Sequence, residues 1–187
     1  EDRRFKEHHG IDWRAIGRAA LQMARSGQIV SGGSTLTMQV ARLIDGTPTR
    51  GAIGKLRQML FARVIEDRLT KDEILSLYLA LAPYGGNLEG IRAASLAYFG
   101  KEPKRLTVAE AALLVALPQA PEERRPDRDA NAARAARDRV LGRMVAASLI
   151  DDETAAAAGT ERIGTARRTF PMLAAHLGDV ARRAEPS

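Results

Sequence analysis

Residues 31–42 read SGGSTLTMQVAR, a glycine- and serine-rich loop followed directly by a run with helical spacing. A helix from about residue 35 to residue 44 puts residues four and seven apart on the same face. Its polar face consists of Thr35, Gln39 and Arg42. Its apolar face consists of Leu36, Val40 and Leu43. The spacing therefore predicts a helix with one side in the core and a polar side turned away from it.

The start of this helix suits a bound anion. Free N–H groups at a helix N-terminus attract negative charge, and glycines let a ligand approach the backbone closely. The stretch lacks the Gly-Lys-Ser/Thr ending of a Walker A loop, so it does not predict a nucleotide-binding P-loop. The competing interpretation is an ordinary N-cap after a loop, and residues 31–42 alone leave both open.

The rest of the chain shows similar helical spacing, interrupted by glycine and proline. No stretch has the period-two alternation of a strand, and no internal repeat appears. Thr70 with Glu73 and Thr107 with Glu110 have the spacing of capping boxes, which start helices. Further helices are predicted over residues 12–26, 55–68, 91–99, 129–148, 151–158 and 172–183. We therefore predict an all-α fold, with a globule over residues 1–120 and a helical C-terminal extension.

Two segments rich in helix breakers separate these helices. Residues 45–54, DGTPTRGAIG, are predicted to form a loop before the third helix, and residues 118–128, PQAPEERRPDR, a linker punctuated by proline. The third helix is expected to bury four apolar residues: Leu56, Met59, Leu60 and Val64.

Composition narrows the classes of protein. The 187 residues, 45% of them hydrophobic, suffice for a domain with a core. The formal net charge of +6 favours an anionic partner, such as nucleic acid, a lipid headgroup or a phosphorylated substrate. The absence of cysteine excludes disulfides, thiolate zinc sites and cysteine nucleophiles. No apolar run approaches the length of a membrane span, and we expect an upstream anchor outside this piece of chain.

Three further basic residues follow the opening stretch. Arg50 lies in the predicted loop, and Lys55 and Arg57 lie at the start of the next predicted helix. Together with Arg42 they would surround a diphosphate, because arginine binds phosphate through two N–H groups and lysine supplies a point charge. The competing interpretation is a solvated basic face.

The acidic pair Glu1 and Asp2 is a candidate source of a general base, although such pairs are also common on surfaces. His8 and His9 suggest a metal site, but neighbouring residues on one element point apart, so metal binding is disfavoured. No serine has the Ser-x-x-Lys spacing of a serine nucleophile with a lysine base.

Six segments carry a more specific signal when they are taken together. In chain order they are EDRRFKEHHGID, GGSTLTMQVAR, GKLRQ, TKDEILSLYL, IRAASLAYFGK and LTVAEAALLVALPQAP. This series resembles the family 51 glycosyltransferases, the peptidoglycan glycosyltransferase domains of class A penicillin-binding proteins and monofunctional transglycosylases. The variants GKLRQ, APYGG and RRPDR are most similar to the 1C type of penicillin-binding protein.

The resemblance implies a lysozyme-like helical domain over residues 1–121. Residues 122–187 would form a helical extension toward a transpeptidase domain. The implied reaction polymerises lipid II into β-1,4 glycan strands by inverting transfer, with release of undecaprenyl diphosphate. Glu1 aligns with the general base that deprotonates the acceptor's 4-hydroxyl, and Gln58 with the family's second catalytic glutamate. The expected donor-site contacts are Ser34, Thr35, Gln39, Arg42, Arg50, Lys55 and Arg57.

The same resemblance implies partners and a location. The partners are lipid II, the nascent glycan strand and the membrane, with no nucleic acid. The location is the periplasmic face of the bacterial inner membrane. The sequence names no certain cofactor and leaves a divalent cation open.

Three positions depart from the family motifs, namely Met38, Gln58 and Ala80, which replace glutamine, glutamate and asparagine. Glutamine keeps hydrogen bonding at position 58 but loses the charge. One alternative is therefore a catalytically weakened member acting as a scaffold. A second is a lysozyme-like glycan hydrolase, which needs a carboxylic acid beside the glycosidic oxygen. A third, a basic module binding nucleic acid, is disfavoured by the few aromatics and the lack of a basic recognition helix.

Overall fold

The computed structural model describes residues 2–26, 33–46 and 51–168. Apart from one isolated antiparallel bridge between Pro83 and Glu89, these residues contain no strand, so the all-α prediction is confirmed. The predicted helix over residues 172–183 lies outside the described residues. The eight α-helices of the described chain are α1 (Trp13–Ser26), α2 (Leu36–Asp45), α3 (Gly51–Glu66), α4 (Lys71–Leu81), α5 (Ile91–Phe99), α6 (Val108–Ala116), α7 (Ala130–Ala146) and α8 (Asp152–Thr160).

The chain forms two compact units, Glu1–Ile91 and Arg92–Ser187. The predicted functional boundary at residue 121 stays a prediction, because compact packing alone does not define a functional domain. Over the described ranges, no helix combines the length and the hydropathy of a membrane span.

The first unit is built around α2, which packs against α3 and α4. Leu36 and Val40 are buried as predicted, while Leu43 is half-buried. Met38 is also fully buried. Gly46 ends the helix in a left-handed conformation with φ 64° and donates its N–H to the carbonyl of Arg42, as expected of a glycine C-cap.

Helix α3 differs from its prediction in two ways. It begins at Gly51, so residues 51–54 are helical rather than part of a loop. Its buried face consists of Gln58, Ala62 and Ile65. The predicted burial of Leu56, Leu60 and Val64 is wrong, since these side chains are 57%, 61% and 44% exposed, and Met59 is half-buried. Apolar residues lie on two sides of α3, and the core uses the side of Ala62 and Ile65.

The second unit has its core between α6, α7 and α8. Four small or aliphatic residues form its centre: Ala109, Ala112, Leu141 and Ala158. The capping box of Thr107 and Glu110 starts α6 as predicted. Arg137 of α7 is only 1% exposed, and its guanidinium donates to the carbonyls of Gly159 and Glu161 at the end of α8. A buried arginine therefore caps α8 and joins it to α7.

Candidate active site

The N-terminus of α2 is capped by the protein's own groups. Thr35 is the N-cap, and its hydroxyl accepts the N–H of Met38 (3.1 Å) and donates to the carbonyl of Gly10 (2.6 Å). The carboxylate of Asp2 accepts the N–H of Leu36 (2.9 Å). The placement of Thr35 on the polar helix face is therefore wrong, because Thr35 precedes the helix and is buried. At the Leu36 amide the predicted anion is the carboxylate of Asp2 itself, while the Met38 amide is taken by the hydroxyl of Thr35.

Asp2 also anchors the segment before α1, residues 2–12, here called the first segment. His8 Nε2 lies 3.0 Å from Asp2 Oδ2, and both side chains are at least nine-tenths buried. His9 is exposed, so the two adjacent histidines point apart as expected. Within the described ranges, no group of three or more His, Asp or Glu side chains is placed to hold a metal ion.

Three of the predicted site residues meet at Lys55. Its Nζ donates to Ser34 Oγ (2.5 Å) and to Gln58 Oε1 (2.8 Å). Gln58 Nε2 in turn donates to the carbonyl of Met38 in α2 (2.5 Å). Burial lowers the pKa of Lys55, and the nearby positive charge of Arg42 lowers it further. Lys55 is thus a half-buried cation held between two neutral oxygens.

Arg42 and Arg57 stand beside this cluster on facing helices. Both are exposed, and Arg57 forms an ion pair with Asp45 (2.8 Å). A small cleft separates α2 from α3 here, lined by Ala41, Arg42, Asp45, Gly54, Arg57, Gln58 and Phe61. Gln39, the other predicted contact, is half-buried on α2. The cations Arg42, Lys55 and Arg57 are therefore carried by the facing helices α2 and α3, although Arg57 shares its charge with a carboxylate.

Two predicted site residues, Glu1 and Arg50, lie outside the described residues. Glu1 directly precedes Asp2, whose carboxylate is anchored to α2. Arg50 directly precedes the first residue of α3. Their proposed roles stay predictions.

Sequence reasoning missed a buried network beside the site. Thr37, inside α2 and fully buried, donates its hydroxyl to Glu66 Oε1 (2.5 Å). Lys71 donates to the same oxygen (2.7 Å) and to the carbonyl of His8 (2.6 Å), and its Nζ lies 4.6 Å from the ring centre of Phe5. A lysine in the first turn of α4 was the available signal, because a cation is unfavourable at a helix N-terminus unless it has a partner.

Glycine has a specific role where the first segment crosses α3. Gly10 has a φ of +80°, and a Cβ on this residue would lie 3.0 Å from the carbonyl oxygen of Ala62. Because of both this conformation and this close approach, any larger residue at position 10 would be strained. Gly10 therefore lets the first segment pack directly against α3, the helix that carries Lys55.

Comparisons with known proteins show the family to which the chain belongs. The chain belongs to the Transglycosylase family, whose sequence profile matches residues 1–145. It is 49% identical over 174 residues to penicillin-binding protein 1C of Escherichia coli, covering 93% of this chain and 22% of the relative. It is 38% identical over 184 residues to penicillin-binding protein 1A of Pseudomonas aeruginosa, covering 97% of this chain and 22% of that protein. The predicted resemblance to class A penicillin-binding proteins is confirmed.

The fold is similar to that of a solved relative. The crystal structure of penicillin-binding protein 1A from Haemophilus influenzae matches with a TM-score of 0.50 and 26% identity, over 79% of this chain and 19% of that one. The chain thus spans about a fifth of the length of the relatives it matches.

Proposed function

We propose that this chain is a peptidoglycan glycosyltransferase domain that polymerises lipid II into β-1,4 glycan strands. The observation that carries the proposal is the Lys55 ammonium, held by Ser34 and Gln58 close to Arg42, in a chain of the Transglycosylase family. A half-buried cation with a second cation nearby suits a diphosphate leaving group better than a neutral sugar.

The reaction follows from these roles. The Glu1 carboxylate takes the proton of the acceptor's 4-hydroxyl, and that oxygen attacks the anomeric carbon of the donor. The bond from this carbon to the diphosphate breaks, undecaprenyl diphosphate leaves, and the configuration inverts from α to β. Negative charge that grows on the departing oxygens is stabilised by Lys55 and Arg42, with Arg50 and Arg57 as further contacts. Arg57 would have to exchange Asp45 for the substrate.

The substrate's lipid implies a membrane partner, and α3 offers a surface for it. Ile53, Leu56, Leu60 and Val64 have helical spacing and form an exposed apolar row, here called the α3 stripe. Arg57 and Arg63 flank it on either side and are exposed. An apolar row between arginines suits the interface of an anionic membrane. We infer that the domain works at the periplasmic face of the inner membrane, with a transpeptidase domain downstream in the full-length chain.

Incubation with labelled lipid II tests the proposal, with product length read on a gel. A ladder of glycan strands is expected from the wild type. Glu1→Gln should lose about 10²–10⁴-fold in rate, which is the usual contribution of a general base. Binding of donor-site ligands should persist. Wild-type turnover by the Gln variant would remove Glu1 from the mechanism.

A further inference from the structure

Gln58 uses both ends of its amide in the packed face of α3. The residue is 6% exposed, its Nε2 donates to the carbonyl of Met38, and its Oε1 accepts from Lys55. An amide supplies one donor and one acceptor at this position, whereas an ionised carboxylate accepts only. A glutamate here would keep the bond to Lys55 but would set its negative charge against the Met38 carbonyl oxygen.

The amide has a consequence for the charge of Lys55. Both hydrogen-bond partners of the ammonium, Ser34 Oγ and Gln58 Oε1, are neutral. Among the described residues, no carboxylate lies within ion-pair distance of Lys55. Two other cations of the same unit differ, since Arg57 is paired with Asp45 and Lys71 with Glu66. Lys55 is thus fixed in place without being neutralised.

We propose that Gln58 is a positioning residue that holds Lys55 by hydrogen bonding and leaves its positive charge uncompensated for an incoming diphosphate. The inference rests on the proposed function, because the diphosphate is that of the proposed donor substrate. It also changes the role of position 58, which contacts Lys55 and Met38 rather than reacting atoms. The substitution of glutamine for the family's glutamate would then strengthen the cationic character of the site rather than disable it.

Inorganic pyrophosphate is the probe, with binding to the 187-residue chain measured by titration calorimetry at fixed ionic strength. Gln58→Glu should weaken binding about tenfold, because a carboxylate pairs with Lys55 and repels the anion. Gln58→Met is neutral and of similar length but lacks the hydrogen bond to Lys55, so it should weaken binding only about threefold, clearly less than Gln58→Glu, while lowering the melting temperature. Gln119→Glu adds the same charge at an exposed position of the second unit and should leave binding unchanged.

A second pair of variants changes Ser34, the other hydrogen-bond partner of Lys55, and does not disturb the buried position 58. Ser34 is half-buried, so Ser34→Asp brings a carboxylate to the ammonium with less risk to folding. It should weaken pyrophosphate binding about tenfold more than Ser34→Asn does, because asparagine is isosteric with the aspartate of the first variant but neutral. If Gln58→Glu does not fold, this pair still tests whether a negative charge beside Lys55 weakens pyrophosphate binding.

The outcomes separate the inference from the proposed function. Equal weakening by the charged and neutral members of each pair would overturn the inference, since charge would then play no part. A wild type that makes glycan strands but does not bind pyrophosphate would overturn it as well. Either of these results would contradict the inference but not the proposed polymerisation of lipid II. A wild type that does not polymerise lipid II would contradict the proposed function itself.

Discussion

At the scale of single residues, the surroundings of Lys55 predict an unusual pH dependence. Burial and Arg42 lower its pKa, so it loses its charge at a pH below the 10.5 of an ordinary lysine. Turnover should therefore fall as the pH rises toward that value. The contribution of Lys55 to folding moves the opposite way, because the folded state binds fewer protons than the unfolded state in this range, and stability gains as the pH rises.

Lys55→Arg tests this dependence through lipid II turnover measured as a function of pH. A guanidinium stays charged throughout the accessible range, so the alkaline decline should disappear or move to higher pH, even if the rate at neutral pH is reduced. A decline that is the same in both proteins would assign it to another group.

Arg50 makes a different prediction, because it lies in the glycine- and proline-containing segment before α3. If it reaches the diphosphate as the leaving group departs, Arg50→Ala should lower kcat by about 100- to 1000-fold, as loss of one preorganised donor does. The melting temperature should change little. Lipid II kinetics and thermal melting measure the two effects, and unchanged turnover would take Arg50 out of the mechanism.

Part of the site followed from the resemblance to the family motifs. The motif GKLRQ and the opening stretch predicted that Ser34, Lys55 and Gln58 belong to one site, and the structure brings them into hydrogen-bond contact. The role of Asp2 at the start of α2 did not follow, because a contact across 34 residues depends on the tertiary fold. The spacing of residues along the chain cannot distinguish a helix N-terminus that is free to bind a ligand from one whose N–H group is already bonded to a carboxylate of the protein.

At the scale of helices, the network of Thr37, Glu66 and Lys71 joins α2, α3 and α4 to the first segment. Glu66 is 3% exposed and Lys71 20% exposed. Lys71→Ala should cost about 3 kcal/mol of unfolding free energy, because it leaves a buried carboxylate without its cation. Chemical denaturation measures this. The exposed pair of Arg92 and Glu102 is the matched control, and Arg92→Ala should have little effect.

The α3 stripe predicts a membrane contact that can be separated from folding. Leu56→Ser with Leu60→Ser should weaken sedimentation with anionic vesicles, while each change alters stability by only about 0.5 kcal/mol because both side chains are exposed. Leu149→Ser removes a 71% exposed leucine from the second unit and should leave vesicle binding intact. Wild-type binding should also fall at high salt. Equal vesicle binding by the stripe variant and the wild type would exclude the stripe as the contact.

The helices themselves were predictable where capping chemistry is local. Both capping boxes are present as expected, since each depends on residues three apart. The buried side of α3 could not be predicted in this way, because the exposed Leu56, Leu60 and Val64 have the same spacing as a core face. Hydrophobicity alone does not separate a face that packs into the core from one that stays exposed. Likewise, the linker predicted over residues 118–128 holds a buried Pro126 and an ion pair of Arg125 with Asp127, contacts that its breaker-rich composition does not indicate.

At the scale of the whole molecule, the net charge of +6 fits several anionic partners, and the site decides among them. Charge alone would also fit a nucleic-acid-binding module. The family match over residues 1–145 and the Lys55 cluster favour a diphosphate-linked sugar instead. A hydrolase would need a protonated carboxyl beside the glycosidic oxygen. At position 58 the chain has an amide, and the buried Glu66 is paired with Lys71.

The chain should therefore build glycan and not degrade it. Incubated with purified sacculi, it should release no soluble muropeptides, whereas with lipid II it should give a ladder of strands that is lost in Lys55→Met. The same protein should not retain DNA at physiological salt. A scaffold with a disabled site would bind vesicles but leave lipid II unconverted, so turnover and vesicle binding measured on one preparation distinguish it from an enzyme. Shortened sacculi would point to a lytic activity and contradict the proposed transfer, in which Arg42 and Lys55 stabilise a departing diphosphate.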